Sequence, residues 1–263
     1  MASSLLQEAR QRAEQAGLNL FGLVRAERFD ACQPCDRRVQ QLRAGCGTVV
    51  VLGTGGRQFW QRFQAQAGRP GVAAETGESP AVTADRFARR LAHDLGHWLA
   101  AQGVTGSVVE PGPRTPVRFS CLGESAGLGV VSPVTGHLLH PEFGPWIALR
   151  ALLLLDGEPF GPIGNASIAH RFQPCCGCSR PCVTACAPRV YDGNGHQDLL
   201  RCASHRNAGN CDTGCNTKIA CPVGAEHRDG PDEHAHRHTQ PLPQLRRMVG
   251  LGLWRFVPRS WRV

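Results

Sequence analysis

The cysteines are the residues of this 263-residue chain whose type and spacing most clearly indicate chemistry, because nine of the 13 lie within residues 175–221. Counted from the first of them, one group follows the pattern C-x2-C-x3-C-x3-C: Cys175, Cys178, Cys182 and Cys186. A second group ends in a Cys-Pro dipeptide and contains Cys202, Cys211, Cys215 and Cys221. Both groups are variants of the bacterial ferredoxin pattern C-x2-C-x2-C-x3-C-P, whose fourth cysteine binds the other of two clusters.

Thiolates at this density indicate iron–sulfur clusters. A 4Fe–4S cube needs four thiolates, and three from a tight loop cover only one face, so the fourth must come from a distant segment. Eight cysteines in two groups therefore predict two 4Fe–4S clusters with ligands exchanged between the groups. Two zinc sites or uncommitted thiols are the alternatives, although zinc more often takes well-separated C-x2-C pairs. The ninth cysteine leaves a choice, since either Cys175 or Cys176 could be the first ligand.

The remaining cysteines and the histidine pairs carry weaker signals. The pair Cys32 and Cys35 forms a lone C-x2-C motif, which we interpret, with Cys46 and Cys121, as ordinary cysteines; a redox pair is the alternative. Two histidines, one turn apart on a predicted helix, lack the glutamate of an HExxH motif, and we expect them to be packing or surface residues: His93 and His97. Near the C-terminus, three histidines are interpreted as a solvated segment: His234, His236 and His238.

Composition excludes several classes of protein. Apolar residues make up 41% and charged residues 19%, which excludes intrinsic disorder. No apolar run is long enough to span a bilayer, and residues 1–15 lack the apolar core of a signal peptide, so we expect a cytoplasmic protein. The net charge of +8 is spread along the chain apart from a basic aromatic tail at residues 246–263, which favours solubility over nucleic-acid binding.

The elements that must position the cysteines follow from hydrophobic periodicity. Helices are predicted over residues 3–16, 57–67 and 83–102, and strands over residues 47–52, 106–110 and 147–155. Further strand runs flank the Thr135–Gly136 turn. Helices mixed with short strands, without a βαβ repeat, predict an α+β fold. We expect an α+β sheet domain, a cluster-binding domain and a His-rich, basic tail at residues 1–165, 166–228 and 229–263.

Two segments resemble a known family. The sequence AGLG at Ala126–Gly129, followed by HPEFGPW at His140–Trp146, is similar to the corresponding stretch of epoxyqueuosine reductases, which are relatives of the reductive dehalogenases. The cysteine region follows at the family's distance, with similar elements at Arg201–Cys202 and Cys211–Asp212. The resemblance covers about residues 107–222. It implies a nitroreductase-like sheet domain followed by a ferredoxin-like module with two 4Fe–4S clusters.

The same resemblance implies ligands, cofactors and partners. It assigns one cluster to Cys175, Cys178, Cys182 and Cys221, and the other to Cys186, Cys202, Cys211 and Cys215. It implies that the clusters pass electrons to a base-off cobalamin lying against residues 126–146, with Gly127, Gly129 and His137 among its contacts. An electron donor of the ferredoxin or flavodoxin type and a small-molecule substrate are the expected partners.

The chain also departs from that family. Pro113 stands where the family has its general-acid aspartate, and the nearest carboxylate is Glu110. The C-terminal helical repeats that help the family bind tRNA are absent from this sequence, so we expect no tRNA partner. The predicted function is therefore an iron–sulfur oxidoreductase with an unidentified substrate. A ferredoxin-like electron carrier without a catalytic site, or a zinc-stabilised interaction module, is the alternative.

Overall fold

The chain forms two compact units, Met1–Val130 with Ile147–Phe172, and Val131–Trp146 with the chain from Gln173 onward. The computed structural model describes residues 2–67, 80–112, 115–211 and 213–239. The basic aromatic tail at residues 246–263 and the family position Pro113 lie outside the described residues.

Regular elements are long in the first unit and short in the second. The helices are α1 (Ala2–Ala16), α2 (Ala26–Asp30), α3 (Gln58–Ala67), α4 (Pro80–Ala101), α5 (Phe119–Ser125), α6 (Pro181–Thr184), α7 (Leu199–Asn207), α8 (Asn216–Ile219) and α9 (Pro231–Thr239). The strands are β1 (Leu20–Arg25), β2 (Cys46–Gly55), β3 (Gly106–Val109), β4 (Val130–Val131), β5 (Leu138–Leu139) and β6 (Ile147–Asp156). Short 3-10 turns occur at Cys35–Arg37, Val39–Gln41 and Ala225–His227.

The first unit is built on a four-stranded sheet in the order β1-β2-β6-β3, in which every neighbouring pair is antiparallel. The central strands β2 and β6 are almost continuously apolar and pair with Val50 opposite Leu153. Helices α1 and α4 supply apolar side chains, such as Ala13 and Leu99, to the core of the sheet. An antiparallel sheet with helices confirms the predicted α+β class.

The longest predicted elements are confirmed, with small changes at their ends. Strands expected at residues 47–52 and 147–155 extend to Cys46–Gly55 and Ile147–Asp156. Sequence reasoning missed β1, whose short segment LFGLVR is interrupted by a glycine and ends in an arginine. Leu20, Gly22 and Val24 on one face of this edge strand are buried, whereas Phe21 and Leu23 on the other are half-buried against the core.

One expectation about the second unit is wrong. The His-rich segment forms helix α9, and His234 on it is only 7% exposed, with Glu233 fully buried beside it. Polar composition predicted a solvated segment, but tertiary packing determines exposure. In the part of the chain that the structure describes, no helix is long and apolar enough to cross a membrane.

The sheet core generates a stability prediction. Leu153 is 1% exposed at the centre of β6, so Leu153→Ala removes buried methyl groups and leaves a cavity, and we expect a loss of about 2–5 kcal/mol of unfolding free energy. Leu200→Ala is the matched control, since Leu200 is 45% exposed and should lose less than about 1 kcal/mol. Urea denaturation followed by circular dichroism measures both, and equal losses would contradict the assignment of the core.

Candidate metal centres

The first candidate centre is a cavity in the second unit. Four thiols contribute to its lining: Cys175, Cys178, Cys182 and Cys221. The first two lie in the loop before α6, the third lies in its first turn, and the fourth follows α8. Arg180 has left-handed backbone (φ 59°) and Pro181 occupies the first helical position, so the loop turns sharply into α6 between the second and third thiols.

A second cavity in the same unit has its own four thiols: Cys186, Cys202, Cys211 and Cys215. Cys186 follows α6, Cys202 lies on α7, and Cys215 is the residue that caps the start of α8. Cys211 has left-handed backbone, with φ 55°. The structure therefore groups the eight thiols four and four, in the same sets that the family resemblance implies.

The grouping is crossed with respect to chain order. Cys221 is the last cysteine in the sequence and lines the first cavity, whereas Cys186 ends the first sequence group and lines the second cavity. Cys182 lies in helix α6 and Cys186 follows the end of this helix, and α8 lies between Cys215 and Cys221. Each short helix thus connects one cavity to the other.

The ionisation of the thiols reflects the same two groups. Burial raises the pKa of Cys182, and the neighbouring thiolates Cys221 and Cys175 raise it further. Burial likewise raises the pKa of Cys202 to about 11, where Arg206 acts in the opposite direction. The metal-free thiols at these two positions are therefore protonated at neutral pH, and a bound metal would have to displace the protons.

Hydrogen bonds reach sulfur atoms in both cavities. In the first, Ser132 Oγ lies 3.3 Å from Cys175 Sγ, and the Arg180 amide donates to Cys178 Sγ at 3.4 Å. In the second, the Val190 amide donates to Cys186 Sγ at 3.5 Å. Cys176, by contrast, is exposed and lines neither cavity. These contacts favour Cys175 over Cys176 as a ligand.

The HPEFGPW segment holds the chain next to Cys221. His140 Nδ1 accepts hydrogen bonds from the amides of Glu142 and Phe143, which closes a tight turn. Gly144 follows with φ +53°, and a Cβ on it would lie only 1.9 Å from the carbonyl oxygen of Val223. The glycine therefore allows the backbone two residues beyond Cys221 to lie directly against this turn.

His137 faces the first cavity. Its Nε2 atom lies 3.0 Å from Gln197 Nε2 and 3.5 Å from the Tyr191 hydroxyl. Burial, with a smaller contribution from Lys218, lowers the pKa of His137 to about 4. The imidazole is neutral at physiological pH, and it forms part of the wall around the four thiols.

The other residues assigned to a corrin by resemblance have contacts of their own. Gly127 has φ +74°, and a Cβ there would lie 2.3 Å from the carbonyl oxygen of Ala166, so the close backbone approach accounts for this glycine. Gly129 has φ 158°. The corrin-binding role of these two glycines and of His137 stays a prediction.

Glu110 is held by helix α4 of the first unit. Its carboxylate lies 2.6 Å from Arg89 Nε and 3.6 Å from His93 Nε2. The carboxylate is therefore engaged in an ion pair with Arg89. His93 and His97 line a separate surface cavity of this unit with β3 residues, as expected for packing and surface positions.

Sequence reasoning did not single out several residues around the cavities. Ser132 and Gln197 had no local signal, because their contacts join positions far apart in the chain. Lys218 had one signal, since it is the single lysine of the sequence and lies between Cys215 and Cys221.

Among the described residues, no three His, Cys, Asp or Glu side chains converge closely enough to hold one metal ion.

No family model matches the chain, and no curated protein matches it. Solved structures do match. An epoxyqueuosine reductase bound to an epoxyqueuosine-modified tRNA-Tyr stem loop has a TM-score of 0.60 at 15% identity, covering 90% of this chain and 69% of that one. An epoxyqueuosine reductase from Streptococcus thermophilus has a TM-score of 0.56 at 16% identity, covering 97% and 78%.

The chain shares its fold with the epoxyqueuosine reductases. A reductive dehalogenase structure, described as suggesting a mechanism for B12-dependent dehalogenation, is also similar, with a TM-score of 0.52 at 16% identity over 94% of this chain and 36% of that one. The resemblance expected from the AGLG and HPEFGPW segments is thus confirmed at the level of the fold. At these identities the likeness concerns the fold alone.

The turn next to Cys221 generates a prediction. Gly144→Ala places a methyl group against the Val223 carbonyl and strains a left-handed residue, so we expect the segment carrying Cys221 to move away and its thiol to react faster with an alkylating reagent. Mass spectrometry of the metal-free protein measures the rate at each cysteine. Gly209→Ala is the control, because Gly209 has φ +84° with no atom within 4 Å of its Cβ position. Equal rates in the two variants would contradict the positioning role of this turn.

Proposed function

We propose that this chain is an iron–sulfur redox protein that binds two 4Fe–4S clusters, one in each cavity, and relays electrons between a donor and an acceptor. The first cluster would be held by Cys175, Cys178, Cys182 and Cys221. The second would be held by Cys186, Cys202, Cys211 and Cys215. The observation that carries the proposal is the division of the eight thiols into two cavities, four to each.

The crossed order supports clusters over zinc. In two-cluster ferredoxins, the last cysteine of each run binds the cluster of the other run. Cys186 and Cys221 occupy this position in their groups, and each lines the cavity of the opposite group. Structural zinc is more often bound by two compact pairs of ligands.

The bound clusters would supply one-electron transfer, and the residues of the chain would bind and tune them. Hydrogen bonds to the sulfurs and solvent exposure set the reduction potential of such a centre. Ser132 and the Arg180 amide contact sulfurs of the first set, and the Val190 amide contacts a sulfur of the second. The neutral His137 beside Tyr191 and Gln197 contributes to the wall of the first cavity without adding charge.

A second candidate function is reduction of a bound cobalamin, which the fold shared with a structure described for B12-dependent dehalogenation favours. A donor of the ferredoxin or flavodoxin type and a small-molecule substrate belong to this proposal. The contacts of Gly127 with Ala166 and of His137 with Gln197 account for these residues within their own units. The proposal of a corrin cofactor therefore depends on the shared fold and not on the contacts of these residues.

The expectation that tRNA is not a partner finds no support in the comparisons. One of the similar structures is an epoxyqueuosine reductase bound to a modified tRNA stem loop. Binding of such a stem loop to this chain is thus a proposal to test alongside cobalamin.

The decisive experiment is purification without oxygen, followed by iron, sulfide and zinc analysis and by paramagnetic resonance of the dithionite-reduced protein. We expect about eight iron and eight sulfide per chain. Stoichiometric zinc without iron would support the interaction module instead. Addition of cobalamin, with an equal concentration of free cysteine as the reference, then separates the two redox proposals, because a corrin-binding chain shifts the corrin bands beyond the change that free thiols cause.

A pair of cysteine variants tests the ligand sets. Cys182→Ala removes one thiol from the first cavity only, so we expect the iron content to fall by about half. Cys176→Ala is the matched control, because Cys176 is exposed and lines neither cavity, and it should retain the full iron content. Full retention of iron in Cys182→Ala would refute the assignment of this cysteine.

A further inference from the structure

Helix α9 places a buried histidine against the second set of thiols. The Cys215 amide donates a hydrogen bond of 2.8 Å to His234 Nε2, although the two residues are 19 positions apart. His234 is 7% exposed, and its ring packs 5.5 Å from the ring of Trp146, centroid to centroid. Cys215 is also the N-cap residue of α8, so this hydrogen bond holds the backbone immediately before the helix.

The backbone next to Cys215 is shaped for the imidazole ring. Gly214 has φ +134°, and a Cβ on it would lie 1.5 Å from Cδ2 and 1.7 Å from Nε2 of His234. The ring therefore occupies the space that any other side chain at position 214 would fill. The glycine and the histidine form one complementary contact.

The other side of the ring faces a carboxylate. His234 Nδ1 lies 3.8 Å from Asp229 Oδ2, and the Asp229 side chain is 1% exposed. A carboxylate on this side favours the tautomer with the proton on Nδ1, which leaves the lone pair of Nε2 to accept the Cys215 amide. The same carboxylate–histidine arrangement orients ligands around many metal centres, where the histidine itself is the ligand; here the histidine contacts the backbone of a cysteine.

We propose that His234 is a positioning residue for the second cluster site: by accepting the Cys215 amide it holds the backbone from which this thiol, at the start of α8, is presented to the cavity. The inference rests on the proposed function, since it takes Cys215 as a cluster ligand. It adds helix α9 to the cluster-binding unit. The hydrogen bond also keeps the Cys215 amide from pointing at a sulfur atom, and hydrogen bonds to sulfur are among the factors that set cluster potentials.

The test compares three variants of the full chain, each reconstituted without oxygen. His234→Phe keeps an aromatic ring but removes the acceptor, and Gly214→Ala occupies the ring's place. We expect both to retain about half of the iron, with the reduced spin count falling to about one per chain. His234→Gln retains an acceptor oxygen, and we expect nearly full iron content. His236→Phe is the control, since it makes the same change on the same helix at a half-buried position, whereas His234 is buried.

The outcomes separate this inference from the proposed function. Wild-type protein that assembles no clusters would refute the proposed function itself. If wild type carries both clusters, unchanged iron content and unchanged potentials in His234→Phe and Gly214→Ala would overturn the role of His234. Loss of half of the iron in His234→Gln would show that a hydrogen-bond acceptor at position 234 is not enough to support the second cluster site. Loss of all iron in His234→Phe would show that His234 supports the whole unit and not the second site.

Discussion

The second unit depends on bringing eight thiols together in two groups whose order is crossed along the chain. Burial raises the pKa of Cys182, Cys202 and Cys221, so the thiolate forms required for metal binding are unfavourable in the metal-free protein. Metal binding would release these protons and contribute its free energy to folding. In the first unit, one hydrophobic cluster forms the core between the sheet and its helices, and another lies between α3 and α4. Apolar burial can thus stabilise the first unit, and metal bound by the thiols would add its binding free energy to the folding of the second.

The backbone of the second unit is consistent with this dependence. Among the described residues, three non-glycine residues have left-handed backbone: Arg180, Arg189 and Cys211. Each such residue costs on the order of 1 kcal/mol or more and persists only where the surroundings impose it. Arg180 lies between two thiols of the first cavity, Arg189 follows Cys186, and Cys211 is itself in the lining of the second cavity. These turns allow closely spaced cysteines to face the same space.

The sequence predicted those parts of the molecule in which local pattern and final environment agree. The apolar runs of β2 and β6 are buried on both faces, so the strands could be recognised without knowledge of their partners. The crossed grouping of the cysteines could be inferred from spacing together with the family resemblance. Contacts between distant positions left no local pattern: Ser132 lies beside Cys175, 43 residues away, and His234 beside Cys215. The exposure of the His-rich segment was predicted wrongly for the same reason, because its polar composition does not reveal that the ring of His234 packs against Gly214.

Each cavity also contains a basic side chain, and this arrangement has a physical consequence for the proposed clusters. Four thiolates give such a centre a net negative charge, and the charge increases on reduction. A buried negative charge is tolerable only where positive charge or hydrogen bonds compensate it. Lys218 lines the first cavity and also lies 5.0 Å from the ring of Trp146, and Arg206 lines the second. The thiolate of Cys202 favours the charged form of Arg206, although burial lowers the pKa of this guanidinium. The reduced state of a cluster carries the larger negative charge, so each cation would stabilise it more than the oxidised state. The basic residues that compensate the charge of the thiolates would therefore also raise the reduction potentials of the proposed clusters.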